Sequence, residues 1–187
     1  LTVIGMPDLR SLEGLQGIDG DIESLVLEDN DALRTLDGLA VGTVSHGVSI
    51  EDNLRLESLS AWTNLRRVDG DYFRIFKNGA LDDLTLPAYE GGSAILVLKS
   101  NPAVETADGL APNAIDAVVV NANPRLKTLG TLGGVDQIRL KLDISDNPEM
   151  DKCEALGLYR KWNQAAGSAE DFPRAYTDLV DDDGSCG

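Results

Sequence analysis

The stretch Ile22-Glu-Ser-Leu25-Val-Leu27-Glu-Asp-Asn30-Asp-Ala-Leu33-Arg-Thr-Leu36-Asp-Gly-Leu39 decides the fold. Leu25 and Leu27 alternate with outward positions, which marks a short strand with one buried face. Asn30 ends that strand, and aliphatics then follow at three-residue steps. The same phrase recurs along the chain on Asn30, Asn53, Asn78, Asn101, Asn123 and Asn147, at spacings of 23, 25, 23, 22 and 24 residues. Met6 holds the equivalent place in a first copy, giving seven copies. Five and three residues before each of these positions the chain is apolar every time, from Leu1/Val3 through Phe73/Ile75 to Leu142/Ile144. Three, six and nine residues after, aliphatics dominate; the fourth copy departs from this with Pro87, and the last places Cys153 in the six-after column.

A repeat of this length reads as a solenoid, because one coil cannot bury its own apolar face and needs neighbours to do so. Identical strands one coil apart stack as a parallel sheet at about 4.8 Å per rung. The recurring asparagine has a physical role at the strand end: its amide can bond to backbone groups that the turn leaves unpaired. Proline follows it in Asn101-Pro102, Asn123-Pro124 and Asn147-Pro148 and pre-sets φ at the turn.

The residues Ile22-x-x-Leu25-x-Leu27-x-x-Asn30 match the leucine-rich-repeat signature, and Asn-Pro-x-Leu-x-x-Leu-x-x-Leu with Gly-Asp before the strand (Gly20-Asp21, Gly70-Asp71) is narrower. Over residues 1 to about 153 the chain resembles the receptor L-domain family. These are the repeat modules in the ectodomains of the insulin and epidermal growth factor receptors, with relatives in bacterial surface proteins and fungal wall proteins. Asn53-Leu54 and Asn78-Gly79 lack the proline, and no cysteine-rich module follows. The resemblance implies recognition or adhesion without catalysis. The fold expected is mainly β: a right-handed parallel β-solenoid of leucine-rich-repeat or L-domain type with about seven coils, residues 1–150. Residues 151–187 are expected to form a C-terminal cap.

In that cap, Asp151-Lys-Cys-Glu154 has capping-box spacing, and residues 152–165 read as a helix with Ala155, Leu158, Tyr159 and Trp162 on one face. Cys153 and Cys186 bracket the segment, and the repeat pattern gives Cys153 a buried position. A bridge between them would staple the tail over the last coil, contribute roughly 3–4 kcal/mol, and imply an oxidising compartment. The location expected is therefore extracellular, periplasmic or at the cell surface. Leu1 and Val3 leave the first coil uncovered, so the chain is expected to be part of a longer one.

Charge narrows the partners. Sixteen basic residues against thirty-two acidic ones give a net charge of −16, which disfavours nucleic acid and anionic membranes. No apolar run approaches the roughly 18 residues that cross a bilayer. Aromatics are 5% of the chain, so the core must be aliphatic.

Signals of catalysis are poor. The one histidine, His46, falls in what reads as an irregular stretch, Gly42–Gly47. No phosphate loop, serine elbow or zinc spacing is present. Glu28 and Glu51 share a column on adjacent coils, as do Asp29 and Asp52. Stacked carboxylates repel, and calcium is the cation that such oxygens would suit; a solvated acidic stripe is the plainer reading. The outward strand positions say more. They change from Ser24, Val26, Glu28 and Gly47, Ser49, Glu51 to Tyr72, Arg74, Phe76, then Ile95, Val97, Lys99 and Ala117, Val119, Asn121. Stacking would gather Tyr72, Arg74, Phe76, Ile95, Val97 and Val119 on one exposed face, the composition of an interaction hot spot. The leading expectation is a non-catalytic module that binds a protein or glycan through this face. A structural spacer of a cell envelope and a carbohydrate-active β-helix enzyme are the competing readings.

Overall fold

The computed structural model describes residues 1–110, 114–135 and 137–166. Its strands are β1 (Thr2–Ile4), β2 (Asp19–Glu28), β3 (Ala40–Glu51), β4 (Arg67–Val68), β5 (Tyr72–Phe76), β6 (Ile95–Lys99), β7 (Ala114–Asn121) and β8 (Gln137–Ser145). All pair in parallel, in the order β1-β2-β3-β5-β6-β7-β8, with β4 beside β3. This is a parallel β-solenoid: seven stacked rungs, hence about six turns of coil. Gly42–Gly47 is not irregular, because it lies inside β3. The irregularity is a pair of register shifts against β2, between Gly20 and Asp21 and between Ile22 and Ser24, which let one strand continue past a corner. His46 is exposed on that strand.

The core is the set of columns read from the repeat. From Leu25/Leu27 to Leu142/Ile144, every inward strand pair is buried. So are Leu33, Leu56, Leu81, Val104 and Leu126 three residues after the turn, and Leu36, Leu59, Leu84, Ala107 and Leu129 six after. In the fourth coil Pro87 is exposed, and Leu86 and Tyr89 fill the gap instead. The Tyr89 ring meets Phe73 edge-to-face at 5.5 Å. The loop around it thus folds into the coil on the inner side of the sheet. Its hydroxyl is buried with no hydrogen-bond partner among the described residues. Burial, with a smaller push from the Asp69 carboxylate, raises the phenol well above its ordinary pKa.

The asparagines form a ladder through the molecule. Oδ1 of each accepts the backbone N–H of its counterpart one coil earlier: Asn30 to Asn53 at 3.2 Å, Asn53 to Asn78 at 3.2 Å, and Asn78 to Asn101, Asn101 to Asn123 and Asn123 to Asn147 at 3.0 Å. Met6 N–H starts the series on Asn30 Oδ1 at 3.1 Å. Each Nδ2 donates to the carbonyl three residues before that counterpart, as Asn101 does to Ile75 at 3.0 Å and Asn123 to Leu98 at 3.0 Å. One side chain therefore satisfies a buried donor and a buried acceptor on the turn below it, which explains why no other residue type recurs there. Asn30, Asn53, Asn78, Asn101 and Asn123 are fully buried. The residue just before each is left-handed: Gly5, Asp29, Asp52, Lys77, Ser100, Ala122 and Asp146 all have φ between 52° and 65°. The turn needs this conformation whatever side chain occupies it, and the ladder holds it there.

Helix α1 (Lys152–Ala166) closes the last coil. Ala155, Leu158 and Tyr159 are buried, and Trp162 packs beside them. The Tyr159 hydroxyl accepts the Ile144 N–H at 3.0 Å, tying helix to sheet. Asp151 caps the helix by accepting from Cys153 N–H at 2.8 Å. Glu154 does not complete a capping box; its Oε2 reaches back to accept Leu129 N–H at 2.9 Å, so it seals the coil below. The expectation that Cys153 is buried is incorrect: it is exposed. The chain turns helical at Lys152, coil spacing lapses there, and Cys153 falls on the outer side of the first helical turn. Its expected partner Cys186 lies outside the described residues, as does all of 151–187 beyond the helix.

Candidate functional site on the sheet face

The outward columns of β5, β6 and β7 meet in register, with Tyr72 opposite Ile95, Arg74 opposite Val97, Phe76 opposite Lys99, and Val97 opposite Val119. Parallel pairing at one residue per rung forces this, so the six side chains singled out from sequence lie together. They are less open than expected. Ile95 is 38% exposed, whereas Tyr72, Arg74, Phe76, Val97 and Val119 are half-buried.

The polar neighbours arrange this surface. Arg74 Nη1 sits 3.0 Å from Glu51 Oε1, and its guanidinium lies over the Tyr72 ring at 5.0 Å. Glu51 also accepts from the Ser49 hydroxyl. The Tyr72 ring rests on Gly47, its in-register neighbour; a Cβ built there would fall 2.9 Å from Tyr72 Cζ. The absent side chain at Gly47 is thus the seat of the ring. Lys77 Nζ stands over the Phe76 ring at 4.7 Å. Together Glu51, Arg74, Phe76, Val97, Lys99 and Val119 line a shallow depression of about 360 Å³ on the outer sheet face. Its walls are mostly carbon, with one ion pair fixed at the rim. Lys99 and Gly47 belong to this site and were not singled out from sequence. The signal was available in the register, which puts Lys99 opposite Phe76 and Gly47 opposite Tyr72.

Glu28 lies opposite Glu51, as the columns required. Protein cations answer this acidic stripe: Arg74 pairs with Glu51, and Lys77 Nζ lies 3.7 Å from Asp52 Oδ2. Asp29 sits one rung below Asp52, and its N–H donates to Glu51 O at 3.2 Å. Among the described residues no group of three or more His, Cys, Asp and Glu converges as a metal cage would require. Nor, among them, is any helix long and apolar enough to cross a membrane.

Comparison of the chain with models of protein families, with curated proteins and with solved structures finds no match in any of the three.

Proposed function

We propose that this solenoid is a non-catalytic recognition module of L-domain-like character, acting outside the cell or at its surface, and that a protein or glycan partner docks on the outer face of β5–β7. The observation that carries the reading is the depression of about 360 Å³ bounded by Arg74, Phe76, Val97 and Val119. It occurs where the outward columns change from small and acidic to aromatic, aliphatic and basic. Its polar rim is already ordered: Arg74 is held by Glu51 and Tyr72, so little side-chain freedom is lost on docking. Aromatic and arginine anchors in a half-desolvated setting are the residues that carry binding energy at interfaces.

The test is affinity capture from surface and secreted extracts, and on a glycan panel, with the wild type beside an Arg74→Glu/Phe76→Ser variant whose fold is checked by circular dichroism. A partner held by the wild type should be lost by the variant, each anchor contributing about 2 kcal/mol. Equal retention by both proteins refutes the sheet face as the site. No partner for either favours the structural spacer.

A further inference from the structure

A second depression lies away from the sheet face, on the turns of the first three coils. Pro7, Asp8, Arg10, Ala32, Arg34 and Arg55 line it, and it encloses about 300 Å³. Three arginines and one aspartate in the lining is the reverse of the chain's overall balance of sixteen basic to thirty-two acidic residues. One column of the coils runs through it, and its basic end lies here, whereas the like charges stacked higher in the same column, Glu57, Asp82 and Glu105, are acidic. Arg10, Arg34, Glu57, Asp82, Glu105 and Lys127 each stand four residues after the turn position, one per coil. Arg34 N–H donates to Arg10 O at 3.0 Å and Glu57 N–H to Arg34 O at 3.1 Å, which fixes these residues one above another. Arg34 pairs with Glu57 at 2.9 Å and Lys127 with Glu105 at 2.8 Å. Arg10 instead has Arg34 as its neighbour. Among the described residues neither Arg10 nor Arg55 has an ion-pair partner.

Stacked like charges are unfavourable, and an anion between them reverses the sign of the interaction. Guanidinium groups bind planar or tetrahedral oxyanions with paired N–H donors, so Arg10 and Arg55, with Arg34 keeping further donors beside its Glu57 pair, specify that chemistry. The volume corresponds to about ten water molecules. That is more than a bare ion needs and suits an acid of monosaccharide size. Small residues, Pro7 and Ala32, complete the lining and leave room for the body of such a ligand.

We infer that this depression is a binding site for an oxyanion, a carboxylate or sulfate borne on a unit of monosaccharide size, gripped by Arg10, Arg34 and Arg55. The same grip would accept free inorganic sulfate, and the experiment separates the two sources. Isothermal titration of the protein at low ionic strength would use digalacturonate, neutral digalactose and sodium sulfate in turn. The variant is Arg10→Gln/Arg55→Gln, which removes two exposed side chains that no internal ion pair uses. Arg66→Gln, exposed and outside the depression, gives the effect of one positive charge lost elsewhere. Digalacturonate should bind and digalactose should not. The double variant should weaken binding by about tenfold per arginine, and added salt should weaken it further. Sulfate binding with the same variant sensitivity, but without digalacturonate binding, supports the oxyanion site and assigns it to a free inorganic ion. The inference is overturned by no heat from either anion at millimolar concentration, by unchanged affinity in the double variant, or by an equal loss in Arg66→Gln.

Discussion

Replacing Asn101 by alanine should destabilise the solenoid by about 3–5 kcal/mol, because two buried backbone groups lose their partners at once and each costs roughly 1–3 kcal/mol. Those groups are the Asn78 N–H, which donates to Asn101 Oδ1 at 3.0 Å, and the Ile75 carbonyl, which accepts from Asn101 Nδ2 at 3.0 Å. Against a typical total of about 5–15 kcal/mol, this is a large share. Asn147→Ala should cost less, since Asn147 is only half-buried and water can replace part of what is lost. Asn101→Asp separates the two halves of the amide. The new carboxyl can still accept from Asn78, but when ionised it faces the Ile75 and Lys99 carbonyls with no proton to donate. Its folded pKa would therefore rise above the unfolded value of about 3.9. The penalty should be small below that pH, grow as pH rises toward the folded pKa, and stay constant above it. Urea unfolding followed by circular dichroism, with the difference from wild type taken at each pH, reads both effects. An Asn101→Ala cost under about 0.5 kcal/mol, or an Asn101→Asp penalty that does not change with pH, would refute the reasoning.

Three further perturbations follow from the packing. Tyr89→Phe removes a buried hydroxyl that has no hydrogen-bond partner among the described residues, so the protein should gain about 1 kcal/mol in thermal or urea melts; a loss would mean that the hydroxyl is satisfied. Glu154→Ala strands the Leu129 N–H and should cost about 2 kcal/mol, more than the roughly 1 kcal/mol for the helix cap lost in Asp151→Ala; the reverse order in melts would show that Glu154 serves the helix instead. Burial pushes the Asp83 carboxyl upward, but hydrogen bonds from the Ser58 hydroxyl at 2.5 Å and the Thr85 N–H at 3.0 Å outweigh it and hold its pKa below the usual range. Its contribution is complete above the unfolded pKa and is lost as pH falls through the lower folded one. Ser58→Ala should raise the Asp83 pKa, seen by carboxyl-carbon NMR titration, with a stability deficit present at neutral pH and fading in acid; an unmoved pKa would break the argument.

The solenoid was legible because a repeat multiplies a weak signal. One Leu-x-Leu is consistent with several structures, but the same pair before six asparagines at nearly constant spacing leaves one way to bury them all. The site was legible only in part. Columns told which side chains share a face, since parallel register is fixed one residue per rung. They did not tell how far each would be covered, because Arg74 folds onto Tyr72 and Glu51 through side-chain geometry that spacing does not encode. Cys153 was misplaced for a related reason: extending the coil count past Met150 assumed coil geometry where the backbone had already become helical. Tyr89 escaped notice because Pro87 broke the column, and a column carries no information once a coil fills its core by another route. His46 shows the converse, since a strand that turns a corner loses the alternation by which strands are recognised.

In the asparagine ladder every main-chain N–H to Oδ1 bond runs from an earlier coil to the next, and every Nδ2 donates back to a carbonyl of the earlier coil. The two ends are therefore not equivalent. The leading end needs only main-chain groups, the Met6 N–H and the Val3 carbonyl, so any residue but proline suffices at Met6. The trailing end needs a side chain that both accepts and donates, as Asn147 does toward the Asn123 N–H and the Val120 carbonyl. Between them each coil offers one main-chain donor and one main-chain acceptor to the next coil's amide, and its own amide satisfies the matching pair on the coil before. A coil duplicated or deleted as a whole unit would keep that balance at any position, so the length of such a solenoid can change by gene-level copying without creating an orphaned polar group.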